Sequence, residues 1–213
     1  MTYPEKSPLI SPDLEAQLHT LFARLTEPVP ITAILGDDEK SREMGAFLCH
    51  ICQLSPLLML QLLSPGQEPA LDEALDAALL PATAVGGSRM VFHGVPGGKE
   101  ITAFASAVLT AGGGMKPLDK PTLKDIDKVK SPMVLQICVS LGCQHCSQLV
   151  SSAHRVAWEN PLVTAHMIDA NLYPELVKIY DIKRVPLTVI NGKTFVPGGK
   201  TMAELTTLLA KYR

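Results

Sequence analysis

The sequence predicts an α/β fold of two like units in tandem, each a mixed central sheet flanked by helices. Hydrophobic periodicity gives the first observation: the order helix, strand, helix, strand, helix, proline, strand, strand, helix occurs twice along the 213 residues. The second is direct self-similarity. Pro81-Ala82-Thr83 is answered by Pro186-Leu187-Thr188, 105 residues on, and the string VPGGK stands at 95–99 and again at 196–200, an offset of 101. The third is GGGMKPLDKPT (112–122), rich in Gly and Pro, which reads as a linker. Recurrence at a near-constant spacing marks a repeated unit. It divides the chain into 1–113 and 114–213.

Each element has its own warrant. SPDLEAQLHTLFARL (11–25) places Leu14, Leu18, Leu21, Phe22 and Leu25 on one helical side, with Ser11 as N-cap and Pro12 as first helical residue. VPITAIL (29–35) is strand-like, SREMGAFLCHICQL (41–54) helical, LLMLQLL (57–63) a buried strand and ALDEALDAALL (70–80) helical. Pro81 leads into the short strands ATAV and RMVF, and a helix runs from about Glu100 to Ala111. After the linker come a helix in TLKDIDKVK, a strand in PMVLQICVS (132–140) and a helix from CQHC to Trp158. LVTAHMI is a strand, LYPELVKIYD a helix, LTVI and TFV a strand pair, and a last helix starts near Thr201. Ile190-Asn191-Gly192-Lys193 supplies an Asn-Gly hairpin turn between that last pair. A parallel βαβ followed by a β-hairpin and a helix is the thioredoxin fold, here twice.

Composition narrows the function classes. With 46% hydrophobic and 19% charged residues the chain can bury a core, and a net charge of −2 gives no reason to expect nucleic acid or an anionic membrane as partner. The polar start MTYPEKSPLISPDL, with three prolines, has no signal-peptide pattern, and no apolar run approaches the roughly 18 residues of a membrane span. Of five cysteines, four form two Cys-x-x-Cys pairs, CHIC (49–52) and CQHC (143–146). That usage fits a reducing cytosol, where such a pair is catalytic or metal-binding, and the expected location is cytoplasmic.

Disulfide exchange needs a thiolate, and a free cysteine of pKa about 8.5 is mostly protonated at neutral pH. The unpaired N–H groups and positive dipole end of a helix's first turn stabilise the anion. A reactive pair should therefore follow a strand and open a helix. CQHC meets this test: after LQICVS and Leu141-Gly142, Cys143 is expected at the helix start as exposed nucleophile, and Cys146 one turn in as buried resolving thiol. In the thioredoxin fold a cis-proline faces the dithiol and the residue before it offers backbone groups to an extended partner peptide. Pro186 and Val185 take those places. CHIC fails the test, lying deep in a helix with Cys52 on the apolar face beside Met44, Phe47, Leu48 and Ile51, and Cys49 off it. At the dithiol position the first unit has Gly36-Asp37-Asp38-Glu39-Lys40-Ser41 and no cysteine, so it is expected to be redox-inactive. One zinc shared by Cys49, Cys52, Cys143 and Cys146 is disfavoured, since a mid-helix pair orients poorly for tetrahedral closure. Cys138 reads as a core residue.

With the tandem units, the inactive first half and VSLGCQHC in the second, the chain resembles the N-terminal domain of the flavoprotein subunit of alkyl hydroperoxide reductase. LTEPVPITAILGDDEKS, VPGGKEITAFASAVLTAGG and VPLTVINGKTF carry the rest of the likeness, which spans nearly the whole chain. The resemblance implies a thiol-disulfide oxidoreductase whose dithiol, Cys143 and Cys146, takes electrons from a thioredoxin-reductase-like flavoprotein and passes them to a peroxiredoxin or other disulfide protein. It also implies that Glu100, from the first unit, stands beside the dithiol as a proton-handling acid; the plain alternative is an exposed glutamate at a helix N-terminus. Two departures stand out. No GxGxxG occurs, leaving a free-standing relay and a piece of a longer flavoprotein as alternatives, with no cofactor expected on this chain itself. The intervening dipeptide is Gln144-His145 where His-Asn is usual, and a His before the second cysteine favours the thiolate and a more oxidising disulfide. A disulfide oxidase or isomerase, a soft-metal module holding its ion on Cys143 and Cys146, and a non-catalytic adaptor stay open as other classes. INGKT lacks the first glycine of a phosphate-binding loop, His50, His154 and His166 have no ligand spacing and read as surface or satisfied, and Trp158 reads as packing.

Overall fold

A computed structural model describes residues 3–212. Along the chain it places α1 (Pro12–Phe22), β1 (Val29–Ile34), α2 (Glu39–Cys52), β2 (Leu58–Leu63), α3 (Pro69–Ala74), β3 (Ala82–Val85) and β4 (Met90–His93). A single 310 turn, Gly98–Glu100, runs into α4 (Ile101–Ala111). There follow α5 (Lys120–Ile126), β5 (Met133–Val139), α6 (Cys146–Glu159), β6 (Val163–Asp169), α7 (Pro174–Ile179), β7 (Leu187–Ile190), β8 (Thr194–Pro197) and α8 (Met202–Leu209). Helix starts follow capping chemistry: Ser11, Asp38, Asp119 and Thr201 each accept a hydrogen bond from a backbone N–H of the first turn, Thr201 in a reciprocal box with Glu204.

The strands lie in the order β2-β1-β3-β4-β6-β5-β7-β8, so each half contributes four neighbouring strands with the same internal order. Within a half the first two strands are parallel and the hairpin strands antiparallel. The two sheets expected from the sequence join into one, because β4 pairs parallel with β6 from Met90↔Ala165 to His93↔Ile168. Every residue of β4 is buried, so without β6 its edge would leave backbone donors and acceptors unpaired away from water. β2 differs from expectation: it is the sheet's outer strand, and Met59 is 58% exposed. The Asn-Gly turn forms as read, with φ of 51° at Asn191 and 66° at Gly192, the left-handed pair that a tight hairpin needs.

One face of the sheet carries the main core, filled from α1, α2, α4, α5, α6 and α8; α3 and α7 cover small clusters on the other. At its centre Phe104 of α4 meets Phe47 of α2 at 5.5 Å and Phe92 of β4 at 5.3 Å. Each fully buried phenylalanine contributes roughly 1.5–3 kcal/mol through removal from water. The two halves meet most extensively where α4 packs along α6 and where β4 pairs with β6. The sheet seam holds a buried imidazole pair that periodicity does not reveal, His93 Nε2 lying 2.9 Å from His166 Nδ1. His154 is likewise buried and bonded to the Val91 carbonyl, and His50 accepts from the Ser7 amide. Trp158 packs against the turn at Gly86.

Candidate active site

The site lies where β5 gives way to α6. Cys143 and Cys146 form a disulfide, with Cα atoms 5.5 Å apart. Helix α6 begins at Cys146, three residues later than the sequence suggests, and Cys143 sits on the turn leading into it, its N–H donating to the Ser140 carbonyl. The reason is local. His145 stands at the N-cap without a side-chain cap bond, although its φ of −102° and ψ of −6° already lead into the helix. Cys146 is thus the first helical residue, in the turn whose N–H groups a helix leaves without intrahelical partners. Cys143 is half-buried, Cys146 is fully buried, and Gln144 and His145 are exposed. These exposures suit an outer attacking sulfur and an inner resolving one.

Both PGGK strings abut this turn. In the first, Gly98 has φ of 54°, and a Cβ there would stand 2.7 Å from the Leu141 carbonyl oxygen, so only glycine allows the approach. The neighbouring Lys99 amide donates to that same carbonyl at 3.0 Å. In the second, Gly199 packs against the Cβ of His145. The repeated motif thus forms two walls around one loop.

The Val185–Pro186 bond is cis, as is Leu80–Pro81 at the matching place in the first half. Their surroundings differ. Among the described residues neither backbone group of Val185 makes a hydrogen bond. The Leu79 and Leu80 carbonyls instead accept from the Tyr173 hydroxyl at 3.2 and 3.0 Å, and the Leu79 carbonyl also lies 2.7 Å from His93 Nδ1. The first half's peptide edge is filled by a side chain of the second, and Gly36-Asp37-Asp38 simply caps α2.

Glu100 ends the 310 turn, which packs against both α4 and α6. It is wholly buried, so the exposed alternative does not hold, and neither carboxylate oxygen has a hydrogen-bond partner. Burial, and then the nearby Asp169 carboxylate, push its pKa from 4.5 up to about 7. Asp169 was not anticipated from the sequence. It is buried at the last position of β6, and burial raises its own pKa despite hydrogen bonding from the Asn171 amide. The signal that could have found it is an acid continuing the inward-facing column Val163, Ala165, Met167 at a strand's C-terminal end.

The other cysteines are free. Cys52 is the last residue of α2, packed against the core, and burial pushes its thiol up to about 12; Cys49 is raised for the same reason. Cys138, buried on the far face of the sheet, is pushed up to about 12. No group of three or more metal-ligating side chains gathers among the described residues, and no helix there is long and apolar enough to cross a membrane.

Comparison with known proteins places this geometry in context. Residues 133–210 match the thioredoxin domain model. The NTD_N/C domain of alkylhydroperoxide reductase AhpF from Enterococcus faecalis (V583) superposes with a TM-score of 0.87 at 32% identity, over 93% of this chain and 99% of that one. The AhpF proteins of Pseudomonas putida and Staphylococcus aureus (strain NCTC 8325 / PS 47) are 28% and 29% identical over 92% and 94% of this chain. The match spans only 36% and 38% of those relatives' own lengths. A protein disulfide oxidoreductase from Aeropyrum pernix k1 shares the fold at a TM-score of 0.86 and 20% identity.

Proposed function

As this chain belongs to the AhpF family of alkyl hydroperoxide reductase components, matching its N-terminal domain, we propose that it is a thiol-disulfide oxidoreductase relaying electrons from a flavoprotein reductase to a disulfide partner such as a peroxiredoxin. Residues 1–113 form a redox-inactive unit and 114–213 the active one. One observation carries the reading: the Cys143–Cys146 disulfide sits at the leading end of α6, with Cys143 on the turn before the helix and Cys146 its first residue. In the dithiol state Cys143 attacks the partner's disulfide as a thiolate and expels one partner sulfur as a thiolate. Cys146 then gives up its proton and its thiolate attacks the Cys143 sulfur of the mixed disulfide, expelling the second partner sulfur as a thiolate and closing the Cys143–Cys146 disulfide; the partner thiolates take protons from water. Val185 and Pro186 shape the groove that holds the partner chain extended, Gln144 and His145 tune the thiolate, and Glu100 handles the proton. The flavoprotein donor returns two electrons to the disulfide.

The test pairs two variants with a metal analysis. Cys143→Ser abolishes reduction of insulin and peroxiredoxin disulfides, while Cys146→Ser traps a partner as a mixed disulfide that dithiothreitol releases. Turnover by Cys143→Ser overturns the reading. A soft metal bound in stoichiometric amount and lost with Cys143 favours the metal-holding alternative instead.

A further inference from the structure

One groove of the duplicated pair carries charge that its counterpart lacks. An offset of 105 residues carries α3 (Pro69–Ala74) onto α7 (Pro174–Ile179), left-handed Asp76 (φ 52°) onto left-handed Asp181 (φ 47°), and the cis Leu80–Pro81 bond onto cis Val185–Pro186. Along that shared backbone Glu73, Ala78 and Leu79 of the first half give way to Lys178, Lys183 and Arg184 in the second. All three cations are exposed. The backbone path does not require them, since the first half follows it with one acid and two apolar residues.

The three cations line a cavity of about 530 Å³ beside the dithiol. Ser140, whose carbonyl accepts from the Cys143 amide, lines the same space, and so does Val185, whose backbone groups are unbonded among the described residues. No acid lines it. Lys178 and Lys183 lie 2.7 and 2.6 Å from Glu175 and Asp181. Those pairs are exposed at both ends, and surface pairs of this kind are weak and readily exchanged for another anion. Arg184 has no hydrogen bond or ion pair among the described residues, which leaves its guanidinium fork open to a carboxylate. On a chain of net charge −2 this positive rim is local.

Resting on the redox reading above, we infer that the groove selects a partner whose disulfide cysteine lies in an acidic, extended segment. The segment's backbone pairs with Val185, and Asp or Glu side chains near its cysteine meet Arg184, Lys183 and Lys178. The spacing fits: Arg184 and Lys183 precede Val185 by one and two residues, at most about 7 Å of extended chain, so acids within about three residues of the partner's cysteine reach them. Charges on the rim of an interface act chiefly on the rate of capture and on the choice among partners.

The experiment uses the reduced full chain and synthetic peptides of one cysteine each, flanked by Asp, Ser or Lys and joined through that cysteine to a chromogenic aryl thiol. Attack by Cys143 on the peptide sulfur releases the coloured thiolate. Its second-order rate is divided by that for dithiothreitol, which removes differences in intrinsic reactivity. At low salt the Asp peptide reacts roughly three- to thirtyfold faster than the Ser peptide, the range that two or three exposed ion pairs supply, and the Lys peptide reacts more slowly. At about 1 M salt, where the Debye length is about 3 Å, the three rates converge. Lys183→Gln with Arg184→Gln brings the Asp-to-Ser ratio close to one, and Lys183→Glu with Arg184→Glu turns the preference toward the Lys peptide. Lys124→Gln with Lys128→Gln removes two exposed charges on and just after α5, outside the cavity, and keeps the parent's ratio. Equal or reversed normalised rates in the parent overturn the inference while leaving the redox reading standing. So does a preference that Lys183→Gln with Arg184→Gln does not move, or that the α5 variant loses as fully. Release from every peptide no faster than that by Cys143→Ser overturns the redox reading itself.

Discussion

Glu100 is a charge-bearing group placed where charge is costly. Its folded pKa of about 7 lies above the ordinary 4.5, so the folded state binds a proton more tightly than the unfolded chain does. The sign follows from linkage: between these two values stability falls as pH rises, and above about 7 the whole penalty applies, on the order of 3 kcal/mol. Glu100→Gln removes the ionisation. Urea unfolding of the oxidised protein should therefore find this variant more stable than the parent at pH 8 and nearly equal to it at pH 5, while the resolving step slows by 10²-fold or more. Equal stability differences at both values would show that Glu100 does not titrate in this range. Glu100 also marks a limit of sequence reading. The residue became legible through resemblance to a family, because nothing in GGKEIT reveals that α4 packs along α6 and seals this turn from water.

Two helices decide which Cys-x-x-Cys reacts. The CQHC pair meets the leading end of α6, whereas CHIC occupies the trailing end of α2, where carbonyls rather than N–H groups are free and the dipole disfavours an anion. Replacing Cys49 by Ser or Cys52 by Ala should leave turnover within about twofold of the parent, with the Cys52 change costing about 1 kcal/mol of stability through its lost core contacts. Insulin reduction and urea midpoints check both, and loss of turnover would mean that the first half takes part in the chemistry. This contrast was legible because strand end, turn and helix start follow one another in the chain. The exact start of α6 was not. Periodicity locates the helix, but its first turn depends on how the uncapped His145 and the two PGGK walls fold the loop.

At the level of the molecule, duplication supplies the frame and asymmetry supplies the site. Both halves keep a cis-proline after a short helix and a glycine pair before the last one, yet Tyr173 fills the first groove and leaves Val185 unbonded in the second. The repeat could be read from Pro-x-Thr and VPGGK, and the hairpin from Asn-Gly. Joining of the sheets could not, since β4 and β6 lie some 70 residues apart and their pairing leaves no local pattern. The His93–His166 seam was missed for the same reason, gaining its meaning from a neighbour across the fold, whereas Asp169 had a local signal, the inward-facing column it ends. What this architecture does to five thiols is measurable at once. The reduced protein is pulsed with iodoacetamide across pH and the label on each cysteine is quantified by mass spectrometry. The account predicts that Cys143 alkylates first, with a midpoint well below the ordinary value of about 8.5, while Cys49 labels only above that value and Cys52 and Cys138, pushed up to about 12, stay unreactive until far higher pH. A Cys143 that titrates like a cysteine in a free peptide, or that labels no faster than Cys49, would contradict it.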